Sequence, residues 1–328
     1  MKAVSRRSFL SAVVGGAAVG FSVRPVAAQE YPQRPVRIIV PFTAGGSSDT
    51  LARIVSEPLR DRLGQAIIVE NRPGGNSSIG MQATAIAAPD GYTMVAGHIG
   101  THAITPAVTP PTGYDVATTF TTVAVHATSS NLLVVPTAGK IDRFQSLLDL
   151  AKSNPGRLNY GSPGIGSPSH IATAKLAALT GINVVHVPYR GNSAAITDLL
   201  GGRLEFMFAS PAEVLEHVHA GKLRALAASG AKRSPAMPDV APVAELGVPG
   251  FDFRTWHVIS VRRDTPPEIV AKVREGLTSV LVTDVYRKRL ADLSLDPGID
   301  DAAEADRFVR AEIISWAKFV RESGIRAE

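Results

Sequence analysis

Short β-branched segments and amphipathic helical segments alternate along most of the chain. Residues 36–41 form a compact apolar run that ends in a glycine-rich turn, and Leu51, Val55 and Leu59 then recur at helical spacing. The same alternation predicts further strands at 67–70, 92–97, 132–136, 158–161, 184–187, 204–209, 223–228 and 256–261, with helices between them. Helices are predicted at 266–282, 285–293 and 302–323. This order is typical of an α/β fold with parallel strands and crossover helices.

Two places in the chain suit a crossing between two lobes. They are the polar stretch at 127–131 and the loop before Trp256. Crossing there predicts one lobe from residues 29–129 and 255–328, and a second lobe from residues 130–254. Because ligands of such folds bind beyond the carboxyl ends of strands, the loops from strand to helix are the candidate sites.

The first 28 residues have the features of an export signal. Arg6 and Arg7 precede a stretch, 8–23, that contains no charged residue, and the small residues at 26–28 suit cleavage. The run SRRSFL predicts a twin-arginine signal peptide, cleaved on export to the periplasm. A membrane anchor is the alternative, but this stretch is shorter than a bilayer span and contains three glycines.

Composition and charge exclude several classes of protein. The chain has no cysteine, which excludes disulfides, cysteine-bound zinc, iron–sulfur clusters and thiol nucleophiles. The formal charge of +5 falls to +1 once the four cationic residues of the segment 1–28 are removed. A near-neutral protein lacks the basic surface of a nucleic-acid binder. No nucleic-acid partner is therefore predicted.

Two glycine- and serine-rich loops follow predicted strands, one in each predicted lobe. The first is PFTAGGSSD at 41–49, and the second is GSPGIGSPSH at 161–170. Glycines let a backbone approach a ligand, and the free N–H groups of a helix start favour an anion. Neither loop fits a P-loop or a dinucleotide fingerprint. The two loops could share one carboxylate across a cleft, although an ordinary turn remains the alternative for the first.

Histidine, serine and arginine side chains elsewhere in the chain could also carry chemistry. His98 and His102 are four residues apart, but no third ligand is adjacent, so neither a metal nor another cofactor is predicted. Ser162, Ser167 and His170 lie close in sequence, yet the chain has no G-x-S-x-G elbow, which disfavours a serine hydrolase. Arg190 follows a strand and could lie at the mouth of a cleft or in solvent.

The chain resembles the Bug family of periplasmic receptors, the solute-binding components of tripartite tricarboxylate transporters. The resemblance rests on the order and spacing of many segments: YPQRPVRIIVPFTAGGSSD, LGQAIIVENRPGGNSSIG, APDGYTM, THAITP, LNYGSPGIGSPSH, VHVPYRGNSAAITDLLGGRLEFMF, GKLRALAASGAKRSPAMPDV and AEIISWAKFVRESG. It implies a type II periplasmic binding protein, with two α/β lobes, a hinge and a ligand cleft between them. It also implies a receptor without catalysis.

The resemblance also implies which residues hold the ligand carboxylate. By position these are Thr43, Ala44, Gly45, Gly46 and Asp49 of the first loop, and Ser162, Gly164, Gly166 and Ser167 of the second. The loop after the third strand, with His98 and Thr101, is expected to add contacts. Where family members often carry Asp or a small hydroxyl residue, this chain has Ala209 and His98.

These two departures favour a fully acidic or aromatic carboxylate over an amino acid as the ligand. The expected function is capture of a di-, tri- or aromatic carboxylate by a monomeric receptor, which delivers it to the integral-membrane subunits of the transporter. Two alternatives are a sensing partner of a membrane sensor kinase, which would use the same closed state, and a secreted hydrolase of small esters.

Overall fold

The first half of the chain forms alternating strands and helices, as the hydrophobic pattern predicts. The computed structural model describes residues 30–108, 112–233 and 237–323, so the predicted signal peptide lies outside the described residues. The elements are β1 (Val36–Val40), α1 (Ser47–Leu63), β2 (Ile67–Asn71), α2 (Ser78–Ala85), β3 (Thr93–His98), a π-helical turn (Gly100–Ile104), α3 (Thr105–Val108), α4 (Val116–Thr119) and β4 (Phe120–Ser130).

A second group of elements follows β4 without a linker. It consists of β5 (Leu132–Pro136), α5 (Phe144–Ser153), β6 (Asn159–Ser162), α6 (Pro168–Thr180), β7 (Val185–Pro188), α7 (Asn192–Leu200), β8 (Met207–Ala209), α8 (Pro211–His219) and β9 (Leu223–Ala228). The chain then continues with β10 (Arg254–Arg262), α9 (Pro267–Leu281), α10 (Asp284–Asp292), β11 (Asp296–Ile299) and α11 (Ala302–Ser323).

The sheets divide the chain into two α/β lobes. A six-stranded sheet in the order β11-β4-β10-β3-β1-β2 forms the first lobe, and β5 to β9 form the second. In the second lobe β5 pairs with β8 and β9, β6 pairs with β7, and a bridge between Tyr160 and Phe206 joins the two groups. The boundaries between the lobes remain our proposal, with the chain crossing near Asn131 and again before Arg254.

The prediction of parallel strands is wrong for part of the fold. Among the described strands, the pairs β1–β2, β1–β3 and β6–β7 are parallel, whereas β10 pairs antiparallel with both β3 and β4. The reason is the double crossing: β4 leaves the first lobe and β10 returns beside it in the opposite direction. Residues Ala127–Ser130, interpreted above as a crossing loop, are therefore the end of β4 and pair with β10.

Hydrophobic side chains from both lobes pack into one continuous cluster. It includes Ile104 and Val258 from the first lobe, Phe208 and Phe253 from the second, and Trp316 on α11. The Phe253 and Trp316 rings meet edge to face with centroids 5.5 Å apart. Buried aromatic pairs of this kind contribute beyond their area alone. The lobes are thus joined by a packed core as well as by two strands.

A single carboxylate anchors α11 to this core. Glu312 Oε2 accepts hydrogen bonds from the indole N–H groups of Trp256 and Trp316, at 2.9 and 3.0 Å. Both indoles are buried, so each N–H requires such a partner. A separate cluster fills the space between the six-stranded sheet and helices α1, α9 and α10. In the part of the chain that the structure describes, no helix combines the length and apolarity needed to span a bilayer.

Candidate functional site

A cavity of about 340 Å³ lies between the two lobes. Both glycine- and serine-rich loops contribute to its wall, together with the ends of β3 and β10. The residues that line it include Phe42, Thr43, Gly46, Asn76, Ser77, His98, Gly166, Ser167, Arg190, Gly191, Asn192, Ser210, Glu213, Thr255 and His257. The structure thus brings the two loops to one shared space.

The first loop leaves the start of α1 uncapped. Gly46 is the N-cap residue and has no side chain to accept a hydrogen bond from the first turn. Asp49, one turn later, is buried and does not line the cavity. Burial opposes its ionisation, but hydrogen bonds from Arg53, the Gly45 N–H and Asn71 hold the pKa of Asp49 below its usual value. Asp49 therefore fixes the shape of the loop from behind.

The second loop is fixed by two histidines. Ser167 is the N-cap of α6 and accepts a hydrogen bond from the His170 N–H, while His170 Nδ1 accepts from the Gly166 N–H at 3.1 Å. Ser162 is fully buried and lies 2.6 Å from His186 Nε2. A buried hydroxyl that does not line the cavity is no nucleophile for a substrate there. Ser167 does line the cavity, but its hydroxyl contacts the backbone N–H of His170 and not the ring, whose Nδ1 is occupied by the Gly166 N–H. This geometry disfavours the hydrolase alternative, which considered Ser162, Ser167 and His170.

Five helices begin at the wall of the cavity. Their N-cap residues are Gly46 for α1, Ser77 for α2, Ser167 for α6, Gly191 for α7 and Ser210 for α8, and all five line it. Only Ser167 caps its own helix through its side chain. The first-turn N–H groups of the others have no side-chain cap, and each helix start carries a partial positive charge. The arrangement favours an anion in the cavity.

Neutral aromatic rings form another part of the cavity wall. The His98 ring stacks on Phe42 at 4.5 Å, and its Nδ1 accepts a hydrogen bond from the Gly100 N–H. The His257 ring stands edge-on to His98 at 6.0 Å. Burial lowers the pKa of His98 to about 4 and lowers the pKa of His257 well below its ordinary value. Both rings are therefore uncharged at neutral pH, and they shape the cavity without adding charge.

The loop after β3 is a π-helical turn held by Thr101. Its hydroxyl accepts from the His98 N–H and donates to the His98 carbonyl, and it also contacts His102 Nδ1. Thr101 is fully buried and does not line the cavity. His102 reaches Ser260 with its other ring nitrogen. In the described ranges, no three His, Asp or Glu side chains lie together as a metal site would require.

Polar side chains of α7 and α8 form one corner of the cavity. The Asn192 side-chain amide donates to both oxygens of Glu213, at 2.9 and 2.8 Å. Burial raises the pKa of Glu213, against the lowering effect of hydrogen bonds from Asn192 and the Ser210 backbone. Asn192 Oδ1 is buried and has no hydrogen-bond partner among the described residues, like Thr255 Oγ1 and His257 Nδ1.

One hydrogen bond crosses the cleft directly. Asn76 Nδ2, in the loop before α2, donates to the carbonyl of Ile165 in the second loop at 3.2 Å. Asn76 has a left-handed backbone, with φ of 51°. Behind it, Gly166 lies close to Ile104 and Thr105 of the first lobe. The two lobes therefore already touch at the cavity's edge.

The predicted site residues fall into two layers. Thr43, Gly46, His98, Gly166 and Ser167 line the cavity. The remaining seven do not line it: Ala44, Gly45, Asp49, Thr101, Ser162, Gly164 and Ala209. For Asp49, Thr101, Ser162 and Ala209 the reason is burial behind the wall.

Sequence reasoning missed several side chains of the wall. They include Asn76, Asn192, Glu213, Thr255 and His257. Asn192 and Glu213 lie in the first turns of helices that follow strands, which is the signal that singled out the two glycine- and serine-rich loops. Applying that rule to every loop from strand to helix would have included them.

The chain matches known proteins over most of its length. The model of the tripartite tricarboxylate transporter family receptor matches residues 51–325. Protein BugT of Bordetella pertussis is 33% identical over 92% of this chain and 93% of its own length. Among solved structures, R. palustris Rpa4515 with adipate gives a TM-score of 0.83 at 34% identity, covering 90% of this chain and 99% of that one. MatC of Rhodopseudomonas palustris with bound malate gives a TM-score of 0.80 at 30% identity, covering 88% of this chain and 100% of that one.

Proposed function

Because the chain belongs to the tripartite tricarboxylate transporter family of receptors, we propose that it captures a small organic carboxylate between its lobes. It is a solute-binding protein with the fold of the periplasmic binding proteins, and not an enzyme. The observation that carries the proposal is the convergence of five helix starts on one cavity between the lobes. Backbone N–H groups can hold a carboxylate through several charge-assisted hydrogen bonds without a buried counter-charge.

The proposed cradle consists of Thr43 and Gly46 in the first loop and Gly166 and Ser167 in the second. The ligand is a di-, tri- or aromatic carboxylate, and relatives in this fold bind adipate and malate. Ala44, Gly45, Asp49, Thr101, Ser162, Gly164 and Ala209 support this cradle from behind or beside it. His98 adds a flat, neutral surface against which a planar or extended carbon chain can pack.

We further propose that the loaded receptor delivers its ligand to integral-membrane subunits of a tripartite tricarboxylate transporter. The twin-arginine signal would export the chain to the periplasm and then be removed. Closure of the lobes on the ligand would remove it from water and give the membrane subunits a form that differs from the empty one. The receptor would act as a monomer, because one cavity contains the complete cradle.

A melting screen over carboxylates tests the proposal. A ligand at 100 times its Kd stabilises the native state by about 2.7 kcal/mol, so a true ligand raises the melting temperature clearly. The panel contains di-, tri- and aromatic carboxylates, with the matched amides as uncharged controls. Stabilisation by amides as strong as that by acids would contradict a carboxylate cradle.

Replacement of Asn76 by Gly should weaken binding about three- to tenfold, because the hydrogen bond across the cleft is lost. Glycine suits the left-handed backbone at this position, which partly offsets its greater freedom in the unfolded chain, so stability should fall by no more than about 1 kcal/mol. The matched control is Ser294→Gly, which changes another residue with left-handed φ at a site remote from the cavity. Calorimetric titration should show a weaker Kd for Asn76→Gly only. Equal affinities in the two variants would contradict the role of the hydrogen bond.

A further inference from the structure

The cavity has a corner that is rich in hydrogen-bond acceptors. Glu213 is the third residue of α8 after the N-cap Ser210. Both of its carboxylate oxygens accept a hydrogen bond from the Asn192 side-chain amide. The donation fixes the orientation of that amide, since a carboxylate can only accept from it. Asn192 Oδ1 therefore points away from Glu213, and it has no partner. An amide oxygen can only accept, so its missing partner is a donor.

The start of α1 contributes a different set of groups to the same cavity. Its first-turn N–H groups have no side-chain cap, and the acid of that first turn, Asp49, is engaged by Arg53 and Asn71. Asn192 and Glu213, in contrast, bring side-chain acceptors to the cavity beside the N–H groups of their own helix starts. A ligand carboxylate placed next to Glu213 would be repelled by the like charge, whereas a hydroxyl or amino group could donate a hydrogen bond there.

We propose that the Asn192–Glu213 pair binds a hydrogen-bond donor, a hydroxyl or an amino group, on the carbon skeleton of the bound carboxylate. This inference rests on the proposed function and narrows its ligand to substituted acids. Two further lining residues, Thr255 and His257, are at least nine-tenths buried and each has a polar atom without a partner. A hydroxyl can donate to Asn192 while accepting from such a neighbour, so it satisfies more of this wall than a methylene group can.

The proposed corner changes the expectation drawn from position 209. Ala209 is buried, and its methyl side chain cannot provide an acid to the ligand. The structure provides an acid four residues later, at Glu213, from the first turn of the following helix. The acid that the family resemblance leads one to expect near position 209 is thus available from Glu213.

Matched sets of acids that differ by one substituent test the inference. The first set is succinate, malate and aspartate; the second is glutarate, 2-hydroxyglutarate and glutamate; the third is benzoate, 4-hydroxybenzoate and 4-aminobenzoate. Each is titrated calorimetrically into the wild-type protein, Glu213→Gln, Asn192→Ala and the control Ser193→Ala. Ser193 is the exposed neighbour of Asn192 on α7 and does not line the cavity.

A hydroxyl- or amino-bearing member should bind at least tenfold more tightly than its plain counterpart, because a hydrogen bond to a charged acceptor is a strong one. This difference in affinity should shrink to less than threefold in Asn192→Ala and in Glu213→Gln, a substitution that keeps the shape of the α8 start. It should persist in Ser193→Ala. The tighter-binding member of each set, hydroxyl-bearing or amino-bearing, identifies which donor the site prefers.

Equal affinity for plain and substituted acids in the wild-type protein would overturn the inference and leave the proposed function intact. A gap that persists unchanged in Glu213→Gln and Asn192→Ala would overturn it too. Failure of every acid in the panel to bind would instead contradict the proposed function.

Discussion

Replacement of Gly166 by Leu should abolish ligand-induced stabilisation while leaving the protein folded. Gly166 has φ of 77°, and a Cβ placed there would lie 3.5 Å from Ile104 and 3.8 Å from Asn76 and Thr105. All three neighbours belong to the other lobe, so the rest of a leucine side chain has no room when the lobes close. Ligand at 100 times its wild-type Kd should give no shift in melting temperature, where the wild type gains about 2.7 kcal/mol.

The control for this experiment is Gly181→Leu. Gly181 ends α6 with φ of 71°, and a Cβ there would meet nothing within 4 Å. Both variants therefore incur a similar cost of left-handed backbone, about 1–2 kcal/mol. Only Gly166→Leu should lose binding. A ligand-induced rise in melting temperature as large as that of the wild type in Gly166→Leu would show that the lobes need not approach each other at the second loop.

Mild acid should destabilise the protein strongly. Six of the eight histidines have a lowered pKa in the folded state, in each case chiefly through burial: His98, His102, His126, His170, His186 and His257. An unfolded histidine binds a proton near pH 6.5, whereas His126 in the folded protein does so only near pH 4. Between these values the unfolded chain binds more protons than the folded one.

Stability should therefore be complete above about pH 6.5 and fall as the pH decreases toward 4. At pH 5 a fully buried histidine such as His126 or His102 costs about 2 kcal/mol, and several together approach the whole stability of a typical domain. Urea unfolding at pH 7.5 and at pH 5.0 measures the difference. His126→Gln should reduce the loss, and His219→Gln, at an exposed position, should not. A flat profile between the two pH values would contradict this account.

The sequence predicts most helices and strands because their apolar positions are regular. Residues 132–136, 223–228 and 302–323 form the predicted elements with the predicted bounds. β4 was missed because its last seven residues, AVHATSS, are mostly small or polar, although the strand lies inside the sheet between β11 and β10. Its polar groups are satisfied by tertiary contacts, such as the one between His126 and the Tyr286 hydroxyl. Such contacts leave no periodic pattern in the sequence.

β11 was missed for a different reason. Its sequence, DPGI, contains the two residues that normally end a strand. Gly298 is needed there because a Cβ would collide with the carbonyl of Val125 on the neighbouring strand. The glycine that argues against a strand in the sequence is thus what lets this edge strand approach β4.

The candidate site was predictable where it depends on local sequence, as in the two loops, and not where it depends on strand pairing. His257 reaches the cavity because β10 runs antiparallel to β3, which places it opposite His98. A prediction of parallel strands would not bring these two rings together. The unsatisfied atoms of Asn192 and Thr255 likewise become visible only when their neighbours are known.

The hydrophobic cluster shared by the lobes has a consequence for how such receptors can diversify. Because Phe253 and Trp316 pack edge to face between the lobes, neither lobe is an interchangeable module, and a chimaera joined at Asn131 and Arg254 would inherit mismatched aromatic surfaces. New specificities are therefore more accessible through point changes at the rim of the cavity than through recombination of whole lobes.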